Sequence, residues 1–305
     1  MARKVVVMLK GYLGDAVMAI PLLETLKAVD GTVATNHAIE ALLKPSFPKL
    51  RFLQVTAHGP LRDFENARKL RGFDVAIVVN RSFRAALTAR LARIPVRIGH
   101  AADGRSFLLS QPLPYDEERN EAECYMDLGE AAGLARFNGV PALDLSDEER
   151  TEGLRRLAGA TVGIQPGARH SWKQIPAPAL IETAQWLSSQ GHRIALFGGT
   201  EEIEAAAHLA SALPTPPLDL VGKLAMRESA AALSGLRLAI GGDTGVMHLA
   251  AAVGCPTITA FGPTKTAKWG HYEPPHQVVQ AEHGDISRIN AQQLIEAAAR
   301  VLGRP

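Results

Sequence analysis

Cysteine is nearly absent: the chain holds only Cys124 and Cys255. Two thiols so placed supply neither a disulfide framework nor a metal-ligand spacing. Also missing is any run approaching the ~20 apolar residues that a membrane-crossing helix needs. The start of the chain is basic, but Val5–Leu9 is too short an apolar run for a secretory signal, and Asp15 and Glu24 soon interrupt it. A cytoplasmic protein is therefore expected. Neither Gly-x-Gly-x-x-Gly nor Gly-x-x-x-x-Gly-Lys-[Ser/Thr] occurs, which argues against dinucleotide and P-loop sites. No Asp-x-Asp and no His/Cys/carboxylate cluster is present, so no metal site is expected.

What is present is core material. With 305 residues, 47% hydrophobic and 21% charged, the chain is long for one domain and comfortable for two. The net charge of +2 is unevenly spread: residues 1–110 carry 17 Lys and Arg against 8 Asp and Glu, and the remainder is acidic. Such asymmetry suggests that the first half meets an anion: nucleic acid, an acidic glycan or a phosphorylated membrane surface. The alternative is that its arginines only solvate helix faces.

Hydrophobic runs alternate with helical patterns. Strands are predicted at Lys4–Leu9, Thr32–Thr35, Arg51–Val55, Val75–Val79 and Val96–Gly99, with helices over about Ala16–Ala28, from Ala38, over Leu61–Leu70 and up to Leu91. A stretch rich in Pro, Gly and charge over 135–160 reads as a linker. The alternation then restarts with strands at Thr161–Ile164, Arg193–Phe197, Leu236–Ile240 and Thr257–Phe261, and an amphipathic helix closes the chain at about Ser287–Leu302. This is an α/β pattern of βαβ units around parallel sheets, with domains over 1–155 and 156–305. The last helix is allowed to pack back on the first domain.

The stretch around which the rest is organised is Gly241-Gly-Asp-Thr-Gly-Val-Met-His-Leu-Ala250. It lies between a strand and a helix, so its glycines let backbone approach a ligand and the helix's first N–H groups face whatever lies above them. Those donors favour an anion, most simply a phosphate. An N-capped helix with Asp243 or Thr244 as cap and nothing bound remains the alternative.

Asp243-Thr-Gly-x-x-His248-Leu-Ala-Ala-Ala, followed by Phe261-Gly-Pro-Thr264, resembles the donor-site signature of the lipopolysaccharide heptosyltransferases, the ADP-heptose transferases of glycosyltransferase family 9. Three further segments are similar. Lys10-Gly-Tyr-Leu-Gly-Asp15 with Pro21 matches the first motif, whose aspartate is the proposed base; residues 80–105 resemble the members called heptosyltransferase II; Gln165–Pro176 matches a Pro-Gly loop leading to a lysine on the donor diphosphate. Where many relatives have Trp two residues after that lysine, this chain has Ile175, with Trp172 on its other side.

The resemblance implies two Rossmann-like domains facing a cleft, the GT-B fold, and a metal-independent inverting transfer of heptose from ADP-heptose to the lipopolysaccharide inner core. It implies Asp15 as catalytic base. Donor contacts would come from Lys173, Glu201 or Glu202 at the ribose, Asp243, Thr244, Gly245, Val246 and His248. Arg81, Arg84 and Arg105 become the candidate contacts to an anionic core acceptor. No resident cofactor, no metal and no nucleic acid are expected; the ADP-sugar is the donor substrate, and contact with the inner face of the inner membrane fits such an acceptor. Competing readings are a family 9 transferase with another nucleotide sugar, a sugar-nucleotide epimerase of similar fold, and a sugar-binding protein. Basic residues concentrated in the first half argue against the epimerase, which needs no acceptor, and the absent signal segment against the binding protein.

Overall fold

The computed structural model describes residues 3–9, 11–55, 59–270 and 274–303. The chain forms two compact units, Met1–Leu143 and Asp144–Pro305.

In the first unit the elements are β1 (Lys4–Met8), α1 (Leu13–Met18), α2 (Ile20–Leu26), β2 (Asp30–Thr35), α3 (His37–Leu43), β3 (Arg51–Gln54), α4 (Pro60–Lys69), β4 (Val75–Val78), α5 (Phe83–Leu91), β5 (Val96–His100), β6 (Gln111–Leu113) and α6 (Glu121–Ala131). All six strands are parallel, in the order β3-β2-β1-β4-β5-β6. The central strands β1 and β4 are apolar and closed to solvent along nearly their whole length, as a parallel sheet covered on both faces requires. The single helix expected after β1 is two. Pro21 stands in the first turn of α2, where it can neither donate to the Val17 carbonyl nor pass it without a clash, so the chain breaks at Ala19.

The second unit repeats the plan with α7 (Asp147–Leu157), β7 (Val162–Ile164), α8 (Ala177–Ser189), β8 (Ile194–Leu196), α9 (Ile203–Ser211), β9 (Leu218–Asp219), α10 (Met226–Ser234), β10 (Leu238–Gly242), α11 (Gly245–Ala252), β11 (Thr257–Phe261), α12 (Thr266–Trp269), β12 (Gln277–Gln280) and α13 (Ala291–Leu302). The order β12-β11-β10-β7-β8-β9 is the same doubly wound topology, again all parallel. Helix α13 packs on α8 and over β10–β12, with Leu294, Ala297 and Ala298 in this unit's core.

Helix α7 also belongs to the second unit, which moves the division from the expected 155 to 143. Ser146 and Glu149 form a capping box at its start, and it lies along α10, tied by Arg227–Glu149 at 2.5 Å and Arg156–Glu228 at 2.9 Å. The helices approach so closely at Gly153 that a Cβ there would stand 2.2 Å from the Ala231 carbonyl oxygen. In an open helix Gly→Ala stabilises by up to ~1 kcal/mol. Here the clash outweighs that gain, and Gly153→Ala should lower unfolding free energy by about 1–3 kcal/mol. Urea unfolding measures it, and a stabilised variant would show that α7 and α10 do not touch as described.

Candidate active site

A doubly wound sheet binds ligands at the carboxyl ends of the two strands where its order reverses. In the first unit those strands are β1 and β4, and in the second β7 and β10. Every sequence motif described above follows one of these four strands or their neighbours.

In the second unit, β7 runs into Gln165 and the loop ending in the 3-10 turn Ser171–Lys173, while β10 runs into Asp243 and Thr244. The two loops lock together. Gly242 leaves room for the Lys173 carbonyl oxygen, which a Cβ at that position would meet at 2.1 Å. Lys173 Nζ donates to Asp243 Oδ2 at 2.6 Å, and His248 Nε2, one turn into α11, lies 3.4 Å from Oδ1. Burial alone would raise the Asp243 pKa, but His248 and Lys173 outweigh it and hold the carboxyl well below the usual range. Asp243 is 1% exposed, whereas the Lys173 side chain keeps 21% of its surface open. The carboxylate therefore sits behind the lysine and aims it outward.

Neither Asp243 nor Thr244 caps α11 with its side chain: Thr244 is the N-cap residue, but its hydroxyl donates to Gln165 Oε1 instead. Among the described residues the first N–H groups of the helix thus have no side-chain acceptor. Within residues 241–250 only Thr244, Gly245 and Val246 are not buried, so the open surface of the turn is the helix start itself. Gln165 was missed in the sequence, although a polar residue directly after an apolar strand was the available signal. It is 4% exposed and bridges Thr244 to the Glu202 carboxylate. The two acids separate here. Glu202 is buried, accepts the Gly199 N–H at 2.6 Å, and has its pKa raised by burial above all. Glu201 is exposed at the rim and pairs with Arg169 at 3.4 Å.

In the first unit a cavity of about 600 Å³ opens over the carboxyl ends of β1, β2 and β4, lined among others by Asp15, Asn36, Asn66, Asn80 and Ser82. Asp15 is not the helix cap: Tyr12 holds that place without a side-chain bond, and Asp15 is the third residue of α1. Its Oδ1 accepts a 2.8 Å hydrogen bond from the hydroxyl of Tyr125, a fully buried residue of α6 whose own pKa is pushed well up by burial and then by Asp15.

The three arginines have different fates. Arg81 lays its guanidinium over the Tyr115 ring at 4.2 Å beside the turn that lines the cavity. Arg84 is paired with the buried Asp63 at 2.5 Å and joins α5 to α4. Arg105, expected to contact an acceptor, is 0% exposed. Its guanidinium donates to the carbonyls of His100, Ser82 and Asn80, and burial lowers its pKa to about 10. Arg105 thus braces the β4–α5 turn from within and cannot reach an acceptor.

Among the described residues no group of three His, Cys, Asp or Glu side chains gathers to hold a metal, and no helix is long and apolar enough to cross a membrane.

Two doubly wound units, each with its polar residues at the switch of its sheet, define the architecture of GT-B transferases. The profile of glycosyltransferase family 9 (heptosyltransferase) matches residues 64–298, and the chain belongs to that family. Lipopolysaccharide heptosyltransferase 2 of Escherichia coli K12 is 25% identical over 289 residues, covering 86% of this chain and 83% of that protein. Among solved structures, E. coli ADP-heptose lps heptosyltransferase II superposes with a TM-score of 0.85 at 23% identity, covering 98% and 99% of the two chains. A family 9 transferase from Veillonella parvula gives 0.86 at 20% identity, covering 99% and 98%.

The Lys173–Asp243 pair predicts an acid-dependent stability. Because the folded pKa of Asp243 is depressed, its contribution is complete above the ordinary value of 3.8 and is lost as pH falls toward the folded value. Asp243→Asn should cost about 3 kcal/mol near neutrality, by leaving the Lys173 ammonium without its counter-charge. It should also flatten the loss of stability between about pH 4 and pH 2. Chemical unfolding across that range checks both; an acid limb as steep as the parent's would mean that Asp243 titrates normally.

Proposed function

We propose that this chain transfers a heptose from ADP-heptose to a sugar of the lipopolysaccharide inner core, inverting the anomeric centre in one displacement. The observation that carries the reading is the turn at Asp243–Val246, where an aimed lysine and the uncapped start of α11 converge on one open patch. A diphosphate leaving group needs that pairing of a cation with N–H donors, each such contact supplying roughly 2–4 kcal/mol as charge develops.

In this reading the acceptor hydroxyl oxygen bonds to the anomeric carbon, the bond from that carbon to the diphosphate oxygen breaks, and the hydroxyl proton passes to the Asp15 carboxylate. ADP leaves with the electron pair, its charge met by Lys173 and by the N–H groups near Thr244, Gly245 and Val246. Asp243 and His248 hold the lysine rather than touch the donor. Glu202 receives the ribose hydroxyls: it is a desolvated acceptor joined through Gln165 to Thr244, whereas Glu201 is already paired at the rim. The first unit is the acceptor side and the second the donor side. Arg81 is the arginine left to meet an anionic acceptor, at the cytoplasmic face of the membrane that carries it. No resident cofactor enters the scheme.

The test is release of nucleotide from ADP-heptose, with UDP- and GDP-sugars as controls, in the presence and absence of a core acceptor bearing its acidic sugars. ADP released only when acceptor is present supports the reading. Release that ignores the acceptor, or prefers another nucleotide, sinks it. Asp15→Asn should reduce kcat by at least ~100-fold while ADP affinity measured by calorimetry stays within about twofold. Normal turnover in that variant would remove Asp15 from the chemistry.

Tyr125→Phe deletes one hydroxyl from a packed core and with it a donor to Asp15. A base held by one hydrogen bond fewer is less precisely placed. The variant should lose up to about tenfold in kcat, for a bond worth ~1.4 kcal/mol, with ADP binding unchanged. An unmoved kcat would limit Tyr125 to packing.

A further inference from the structure

The first unit carries a second concavity that the transfer site does not use. It measures about 660 Å³ and lies where α4 and α5 end and β5 begins. Ala67, Leu91, Ile94 and Pro95 form an apolar floor, and Arg68, Arg71, Arg90 and Arg93 stand around it. All four arginines are exposed, and none is ion-paired with a carboxylate among the described residues. Elsewhere arginines do find acids: Arg119 meets Asp127 at 2.6 Å, Arg155 meets Glu152 at 2.7 Å, and Arg227 meets Glu149 at 2.5 Å. A fifth, Arg97, also lines the concavity, but its Nε and Nη1 donate to the carbonyls of Ile94, Pro95 and Leu108. Like charges gathered without counter-ions create a positive field that attracts anions.

Helix ends account for part of this. Cations in the last turns of α4 and α5 complement the helix dipoles. That explains tolerance of the arginines but not the apolar side chains beside them. Phe64, also lining the concavity, is 61% exposed, and Leu61, one turn earlier on α4, is 85% exposed. Positions 61, 64 and 68 share one face of α4 at helical spacing, and Arg71 follows just past the end of the helix. An apolar stretch continued by guanidinium groups is what a bilayer boundary accepts, with the hydrocarbon entering at headgroup depth and the cations at phosphate. A single-stranded nucleic acid asks instead for several aromatic platforms along a basic groove. Among the described residues Phe64 is the only aromatic lining this concavity, and aliphatic Leu61 is the more exposed of the pair.

We propose that the outward face of α4, together with Arg90 and Arg93 after it in space, docks the first unit onto a bilayer surface bearing anionic phosphate headgroups. The inward face of the same helix places Asn66 in the cavity over the sheet and Asp63 on Arg84, so α4 separates the docking face from the acceptor side by one helix diameter. The proposal does not depend on the transfer reaction, because none of its residues was placed in the site.

The measurement is co-sedimentation of the full chain with phosphatidylethanolamine vesicles containing or lacking phosphatidylglycerol. Binding is expected only with the anionic lipid, and should fall at least tenfold between about 0.1 M and 1 M NaCl as the screening length drops from roughly 10 Å to 3 Å. Replacing Arg68, Arg71, Arg90 and Arg93 by Gln should weaken partitioning about fivefold per charge removed. Leu61→Ser with Phe64→Ser should weaken it without changing the salt slope. A thermal melt of each variant separates lost docking from lost stability. Three outcomes overturn the proposal: equal binding to both vesicle types; unchanged binding in the glutamine variant; or retention of a single-stranded RNA oligomer on this face with no vesicle binding. If the glutamine variant binds vesicles normally but melts early, the arginines serve the helix ends alone.

Discussion

A carboxylate that is 1% exposed can stay ionised only if its neighbours replace the water it has lost, and Asp243 solves this with Lys173 on one oxygen and His248 near the other. The solution ties together three pieces of chain: the loop after β7, the turn after β10 and the first turns of α11. Gly242 is the steric condition for it, since any side chain there would push the Lys173 backbone away. One ion pair thereby sets the position of the cation, the shape of the loop and the exposure of the helix start. Remove the carboxylate and the lysine becomes a solvated side chain on a loop.

The same economy appears at the switch of the first sheet with different chemistry. There the turn after β4 is held from beneath by Arg105, whose donors take the carbonyls of Asn80 and Ser82, while Asn80 and Ser82 themselves line the cavity beside Asp15. Asp15 in turn is held by Tyr125 from α6. Each unit places one buried polar group behind the residues that face outward: a carboxylate behind a lysine in the second, a guanidinium behind a turn in the first. Rigid support of this kind allows a side chain at a strand end to act at a defined distance.

The interior strands were legible because both faces of a parallel sheet are covered, so β1, β4 and β10 are nearly continuous apolar runs and β11 is broken only by small threonines. The strands that escaped, β6, β9 and β12, are sheet edges. An edge strand has one neighbour and need not be apolar; β6 even contains Pro112, whose missing N–H costs little there. Site residues divided along a similar line. Lys173, Asp243 and Thr244 could be named because they lie in short motifs next to their strands. Gln165 and Tyr125 could not be assigned, because each acts through a contact 79 or 110 residues away. Arg105 was misjudged for the same reason: position after a strand does not say whether a side chain turns out to solvent or back under its own turn.

Charge asymmetry in the first half is a sum of unlike parts. Arg105 and Arg97 spend their donors on backbone carbonyls, and Arg84 is neutralised by Asp63. Counting these toward an anionic partner overstates the pull of the cavity, beside which Arg81 lies over the Tyr115 ring and is not ion-paired among the described residues. The uncompensated charge lies instead on the far ends of α4 and α5. A positive excess read from composition is therefore better divided in two: a small share beside Asp15, where one guanidinium can orient an acidic sugar, and a larger share on the outer surface, where several act together. Only the second share is exposed and mutually repelling, and so only it should respond steeply to salt.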